Sequence, residues 1–169
     1  MKTIIVLLSF LASSYTARAS DPDSSAFLFD ANCANWIIPP YNVQFEADND
    51  PVDSANYVRA VQVDLNADGV KENLFVSLCG NGGCIFEIHD GLTGRHLGDL
   101  FGNPIMVRPE KINGMPIVES FSHQSADSGN FTCYVFDGKE YVTVTSVGLF
   151  DKSVEAFFSS ISNVRWLHK

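Results

Sequence analysis

The chain has 169 residues, 46% of them hydrophobic, and a formal net charge of −9. An acidic surface of this kind excludes nucleic acid and anionic membrane surfaces as partners held by charge, since neither offers the counter-charge required. What remains is a basic partner, a cation, or the plain role of keeping the protein in solution.

The first predicted element is an export signal. Lys2 is a positive n-region, Ile4 to Ala12 is an apolar run, and Ala17-Arg18-Ala19 has the small-x-small pattern of a cleavage site. We expect residues 1–19 to be a signal peptide and residues 20–169 to form a single mainly-β domain, exported and without membrane insertion. The apolar run is shorter than the roughly 20 residues a spanning helix needs, and no later segment approaches that length. No cysteine follows the expected cleavage site to carry a lipid anchor. Losing the signal removes Lys2 and Arg18 but no acid, which moves the net charge from −9 to −11.

Ser24 to Trp36 is expected to open with a short helix capped by Asp23 or Ser25, with Pro39 and Pro40 stopping any regular element. From Asn42 the pattern changes to short alternating apolar runs, VQF, YVRAVQV, NLFVSL and CIFEI, which read as strands between Asp, Asn and Gly clusters. The segment HDGLTG carries an Asp90-Gly91 hairpin signal, so Cys84–His89 should pair with a strand near His96–Leu100. Two further strands are expected at Pro104–Arg108 and Pro116–His123 around Asn113-Gly114. Phe131–Phe136 and Tyr141–Val147 should form another hairpin across Asp137-Gly138. Ser153–Ile161 places Val154, Phe157, Phe158 and Ile161 on one face of a short helix. The expected fold class is an antiparallel β-sheet or sandwich of short strands, with one or two short helices near the ends and disulfide bridges.

All four cysteines, Cys33, Cys79, Cys84 and Cys133, lie in the part expected to be exported, where disulfides persist. Two bridges allow three connectivities. Gly80, Gly82 and Gly83 supply the tight backbone a short loop demands and favour Cys79–Cys84, which leaves Cys33–Cys133 as the second pair. Zinc is disfavoured, because the spacing is C-x4-C with the other two cysteines distant, not paired C-x2-C.

The most specialised stretch is DLNADGVKENLFVSLCGNGGC, Asp64 to Cys84. Asp64, Asn66 and Asp68 fall at positions 1, 3 and 5 of a cation loop, with Gly69 at 6, the Val70 carbonyl at 7 and Glu72 at 9. Ca²⁺ takes six to eight hard oxygen ligands, and alternate residues of a tight loop can aim oxygens at one centre. An EF-hand is excluded, because position 12 is Phe75 and the flanks read as strands. The competing explanation is a hairpin turn whose Asp and Asn side chains satisfy the turn backbone.

This stretch resembles the D-x-[DN]-x-D-G-x-x-[DE] calcium loop of FG-GAP and VCBS-type repeats, found in β-propeller blades and in small exported bacterial proteins. CGNGGC is similar to the Cys-Gly-x-Gly-Gly-Cys turn that follows the loop in small periplasmic proteins. The resemblance implies a periplasmic location, Asp64, Asn66, Asp68 and Glu72 as ligands of a structural Ca²⁺, and Cys79 with Cys84 as a disulfide. The sequence departs from the commoner pattern at Ala67, where Gly is frequent, and at Glu72, where Asp is more common.

No convincing catalytic set emerges, and we expect the protein not to be an enzyme. Ser122-His123 and Asp127-Ser128 have the residue types of a triad but no nucleophile elbow. His89, His96, His123 and His168 are dispersed, and Asp48, Asp50 and Asp53 sit in a polar stretch with Pro51. Asn130-Phe131-Thr132 matches the glycosylation sequon, which matters only in a glycosylating pathway. The reading that follows is a periplasmic inhibitor or immunity protein. It would block a basic cell-wall hydrolase or toxin by inserting the loop of Ser122, His123, Gln124, Ser125, Asp127, Ser128 and Asn130. The alternative is a calcium-loop accessory or glycan-binding envelope domain, using Trp36, Tyr41 and Trp166.

Overall fold

The computed structural model describes residues 25–38 and 58–167. The expected signal peptide, the strand at residues 43–45, Tyr41, the acidic stretch 48–53 and His168 lie outside the described residues.

The described chain runs through β1 (Phe27–Phe29), β2 (Asn35–Ile37), β3 (Val58–Val63), β4 (Glu72–Gly80), β5 (Gly83–His89) and β6 (His96–Gly102). It continues through β7 (Ile105–Ile112), β8 (Met115–Ser125), β9 (Ser128–Phe136), β10 (Tyr141–Phe150), α1 (Lys152–Ile161) and β11 (Arg165–Trp166). One sheet has the order β2-β3-β4-β5-β6, the other β10-β9-β8-β7-β1-β11. Each is a meander of antiparallel neighbours, completed by β1 and β2 from the start of the chain. β1 also pairs in parallel with β11. The fold is therefore mainly β, as its alternating patterns imply.

Alternation along the strands builds one core between the sheets. Val61, Leu74, Phe86 and Ile88 from the five-stranded sheet face Phe29, Ile105, Val118 and Phe136 from the six-stranded sheet. Phe29 and Phe86 meet edge to face across the gap, with ring centroids 5.4 Å apart. The opposite face of the six-stranded sheet is covered by α1. Ile161, Phe157 and Phe158 pack there on Leu28 and Met106, and the Phe157 ring stacks on Phe121 at 5.2 Å.

The N-terminal helix expected over Ser24–Trp36 is not formed. Within the described part, β1 and β2 flank a three-residue 3-10 turn, Ala31–Cys33, capped by the Asp30 carboxylate on the Asn32 N–H at 2.8 Å. The physical reason is that Leu28 and Phe29 are both buried, but in different clusters, one under α1 and one between the sheets. Sequence neighbours buried on opposite sides belong on a strand, not on one face of a helix.

Cys79 and Cys84 are joined and stand directly opposite each other on β4 and β5. The expected Cys33–Cys133 bridge is not formed, which corrects that pairing. Cys133 lies on β9, with β8 and β7 between it and β1, and Cys33 follows β1. Neighbouring strands are about 4.8 Å apart, so that separation exceeds the reach of a disulfide. The Cys33 thiol instead donates to the Leu167 carbonyl at 2.9 Å.

The sheets approach closely where glycines remove the side chains. A Cβ at Gly83 would lie 2.6 Å from the Gly102 carbonyl carbon, and one at Gly102 would lie 2.7 Å from the Phe121 carbonyl oxygen. The backbones of β5, β6 and β8 are thus stacked on one another at this end. Both glycines also have positive φ, 138° and 152°.

Truncating the inter-sheet contact should be costly. Phe86→Ala removes a ring that is 0% exposed and is expected to lower stability by about 3–5 kcal/mol in denaturant unfolding. A loss below about 1 kcal/mol would mean that this contact does not hold the two sheets together.

Candidate functional site

The turn between β3 and β4 is a web of side chains bonded to their own backbone. Asp64 accepts the N–H groups of Asp68 at 3.1 Å and Gly69 at 2.8 Å, and Asn66 accepts that of Asp68 at 2.9 Å. Asp68 accepts the Val70 N–H at 2.8 Å and the Asn66 side-chain amide at 2.8 Å. The Lys111 ammonium donates to the Asn66 carbonyl. Ala67 and Gly69 sit at φ 59° and 88°, so the position where this chain departs from glycine takes the left-handed conformation. Lys71 closes onto Gly91, where any side chain would collide with its carbonyl. The Asp90-Gly91 pair therefore makes a hairpin and a docking point at once.

Glu72 differs from its neighbours. It is only 2% exposed, and its Oε2 accepts the Leu65 N–H at 2.7 Å. Burial pushes its acid up to about 7, against the opposing pull of the Leu65 amide, with the charges of Asp68 and Asp64 adding to the rise. The same burial, with Glu72 nearby, drives the Tyr141 hydroxyl well above its ordinary value. A pocket of about 190 Å³ opens beside the turn, lined by Asn66, Glu72, Asp90, Arg95, Asn113 and Phe136 among others. Asp90 is held below the usual carboxylate range by the Thr93 hydroxyl and amide.

Among the described residues no three His, Cys, Asp or Glu side chains form a ready metal group. The donors on the turn nevertheless fit a hard cation in kind. They are all oxygens, and the buried Glu72 feels the charges of Asp68 and Asp64.

The expected partner-binding loop is not a loop. Ser122, His123, Gln124 and Ser125 belong to β8, Ser128 and Asn130 belong to β9, and only Ala126 and Asp127 make the turn. This corrects the contact set. Ser122 is 6% exposed and points to the opposite face from its neighbour His123, so it cannot touch a partner. The same geometry separates Ser122 and His123 as members of a catalytic set. His123 through Asp127 are exposed.

This tip is held from outside its own hairpin. The His123 N–H donates to the Gly82 carbonyl in the disulfide-closed turn at 3.0 Å, and the Asp151 N–H donates to the Asp127 carbonyl at 2.8 Å. The His123 ring lies edge-on to Phe121 at 4.7 Å and parallel to Phe158 at 5.9 Å. Ser125 and Ser128 join hydroxyls across the turn at 2.8 Å. Beside it Phe101 is 44% exposed, with its ring against Gly82.

A further constellation was not legible as such in the sequence. The β5–β6 hairpin sets His89 opposite His96 with ring centroids 5.2 Å apart, and Glu87 opposite Asp99. His96 Nε2 lies 2.7 Å from Asp99, and His89 Nδ1 lies 3.1 Å from the Gly94 carbonyl. The Asp90-Gly91 signal already implied this register, and projecting the four residues through it would have found them. Trp36 and Trp166 are exposed, on edge strands of different sheets.

Comparison with protein-family models, curated proteins and solved structures finds no match to the chain.

The buried acid makes a signed prediction. A group whose folded pKa is raised contributes stability that is complete below its unfolded value of 4.5 and is lost as pH rises through about 7. Glu72→Gln, a neutral mimic, should match the wild type near pH 4.5. By pH 8 it should be the more stable, by up to roughly 3 kcal/mol in thermal or urea unfolding. A stability difference that stays flat across this range would contradict the burial of a strained carboxylate.

Proposed function

We propose that this is a periplasmic, non-enzymatic binding protein that blocks a cell-wall hydrolase or toxin with the β8–β9 tip. The observation that carries this reading is the bracing of the tip by backbone hydrogen bonds from the Gly82 turn on one side and from Asp151 on the other. An exposed projection that is already ordered loses little conformational freedom on binding, and this is what a plug requires. Phe101, whose ring lies against Gly82, supplies an exposed apolar anchor beside a polar tip, the composition expected at the centre of an interface. The net charge of −9 would speed encounter with a basic cleft. The Cys79–Cys84 bridge suits an oxidising compartment.

Capture from periplasmic extract tests this reading. The wild-type protein should retain a basic hydrolase or toxin, and the double substitution Gln124→Arg with Asp127→Arg should weaken that complex by about 2 kcal/mol or more without moving the melting temperature. Phe101→Ala should act in the same direction. Retention of the partner at full affinity by all these variants would remove the tip from the mechanism. The accessory-domain alternative rests on the exposure of Trp36 and Trp166, 59% and 38%, which leaves both rings open to sugar stacking.

In either reading we assign the Asp64–Glu72 turn as a structural Ca²⁺ loop, held by Asp64, Asn66, Asp68, the Val70 carbonyl and Glu72. Bound calcium would neutralise the acids that now raise Glu72. Calcium at 100 times its dissociation constant should then add about 2.7 kcal/mol of stability, and Asp64→Asn should abolish the gain. A melting temperature indifferent to both calcium and chelator would remove the metal.

A further inference from the structure

The outer face of the five-stranded sheet carries a buried patch. Val61, Leu74, Phe86 and Ile88 point toward the other sheet, so their alternates Ala60, Asn73, Phe75, Glu87 and His89 point away from it. The register sets Ala60 beside Phe75, and Phe75 beside Glu87. Phe75, Ala60 and Asn73 are nevertheless only 0%, 1% and 2% exposed. Neither Ala60 nor Phe75 belongs to the core between the sheets or to the cluster under α1.

Neighbours within a sheet shield the flanks of an upright side chain and leave its tip open to water. The same face shows this at Gln62, His96 and Asp99, which are exposed. The His89 ring, edge-on to Phe75 at 5.0 Å, covers one flank of the phenyl ring. Asn73, Phe75 and His89 each make a further contact beyond these. Among the described residues no element lies over this face, since α1 sits on the far side of the other sheet. A side chain as fully buried as Phe75 needs a further layer of chain above it.

We propose that the occupant of this face is the chain's own segment 39–57, which lies outside the described residues. Place selects it. Ile37 and Val58 are partners in the β2–β3 ladder, so the connection leaves and returns at one edge of the face. Ala60 is two residues in from Val58, and Phe75 stands across from it on the next strand, about 4.8 Å away. Composition selects the same segment, because Tyr41, Val43 and Phe45 alternate with polar residues, the pattern of a stretch with one apolar face. The other residues outside the described ones offer less. Residues 1–19 carry the pattern of a signal removed on export, 20–24 read SDPDS and 168–169 read HK, with no large apolar side chain in either short piece. On this proposal Tyr41 is used within the chain and is not offered to a sugar.

Nuclear Overhauser spectroscopy of the isotope-labelled protein, with a double-mutant cycle, tests the proposal. The Phe75 ring protons should give cross-peaks to side chains within residues 39–57. Those peaks should persist on dilution and be absent from the intermolecular spectrum of a labelled and unlabelled mixture. Phe45→Ala should lower the melting temperature by at least about 5 °C, and by less than half as much when Phe75 is already alanine. Cross-peaks from Phe75 to residues 1–24, to residues 168–169 or to a second copy in place of 39–57 overturn the proposal, as does a Phe75 ring with no contact to 39–57. An effect of Phe45→Ala that is undiminished in the Phe75→Ala background overturns it too. The cross-peaks need no variant, so they decide the matter even if Phe75→Ala does not fold.

Discussion

The structure depends on one steric condition, the stacking of three backbones where Gly83 lies on Gly102 and Gly102 on the Phe121 carbonyl. No residue with a Cβ fits either glycine position without moving a neighbouring main chain. Through this stack the five-stranded sheet reaches the six-stranded one closely enough for direct hydrogen bonds, including Asn103 N–H to the Phe121 carbonyl at 2.7 Å and His123 N–H to the Gly82 carbonyl at 3.0 Å. The Tyr134 hydroxyl, 3.1 Å from the Phe101 amide, and the Ser120 hydroxyl, which donates to the Phe101 carbonyl at 2.7 Å, fasten the same seam. The Cys79–Cys84 bridge holds the ends of β4 and β5 that carry Gly82 to this point.

The opposite surface features follow from that seam. Because the disulfide turn is pressed onto β8, the β8–β9 tip extends from a fixed base, and α1 fixes it from the far side through Asp151 and the Phe158 ring. The Asp64–Glu72 turn is stabilised differently, by carboxylates and amides bonded to nearby N–H groups around one buried acid. It places polar groups around a small pocket and keeps Glu72 a buried acid raised above the ordinary carboxylate range. A braced polar tip and a charge-strained turn are separate devices on one scaffold.

Strand positions from β3 to β10 were legible because alternation and turn residues agree. Asp90-Gly91, Asn113-Gly114 and Asp137-Gly138 each mark a reversal the structure makes. Cys79–Cys84 was legible because its glycines permit so short a loop. The start of the chain was misread because FLF has no helical or alternating signature. Only its partners, β7 and β11, far away in sequence, show that both faces are buried. Cys33–Cys133 failed for the same kind of reason, since the strands between the two thiols are a matter of topology. The stretch SHQSADSGN looked like a loop because its residues are polar, yet cross-strand pairing extends to Ser125–Ser128 and reduces the turn to two residues. The roles of Gly83 and Gly102 were hidden too, because sequence shows where a side chain is missing but not which backbone fills the space.

The central claim is that the β8–β9 tip is rigid before it meets any partner, and amide exchange at His123 and Asp151 tests it most directly. Each amide ties the hairpin to a neighbouring element, His123 to the Gly82 carbonyl and Asp151 to the Asp127 carbonyl, so the account predicts protection approaching that of core strands such as β5. Exchange at the rate of an open loop, with β5 still protected, would contradict the claim.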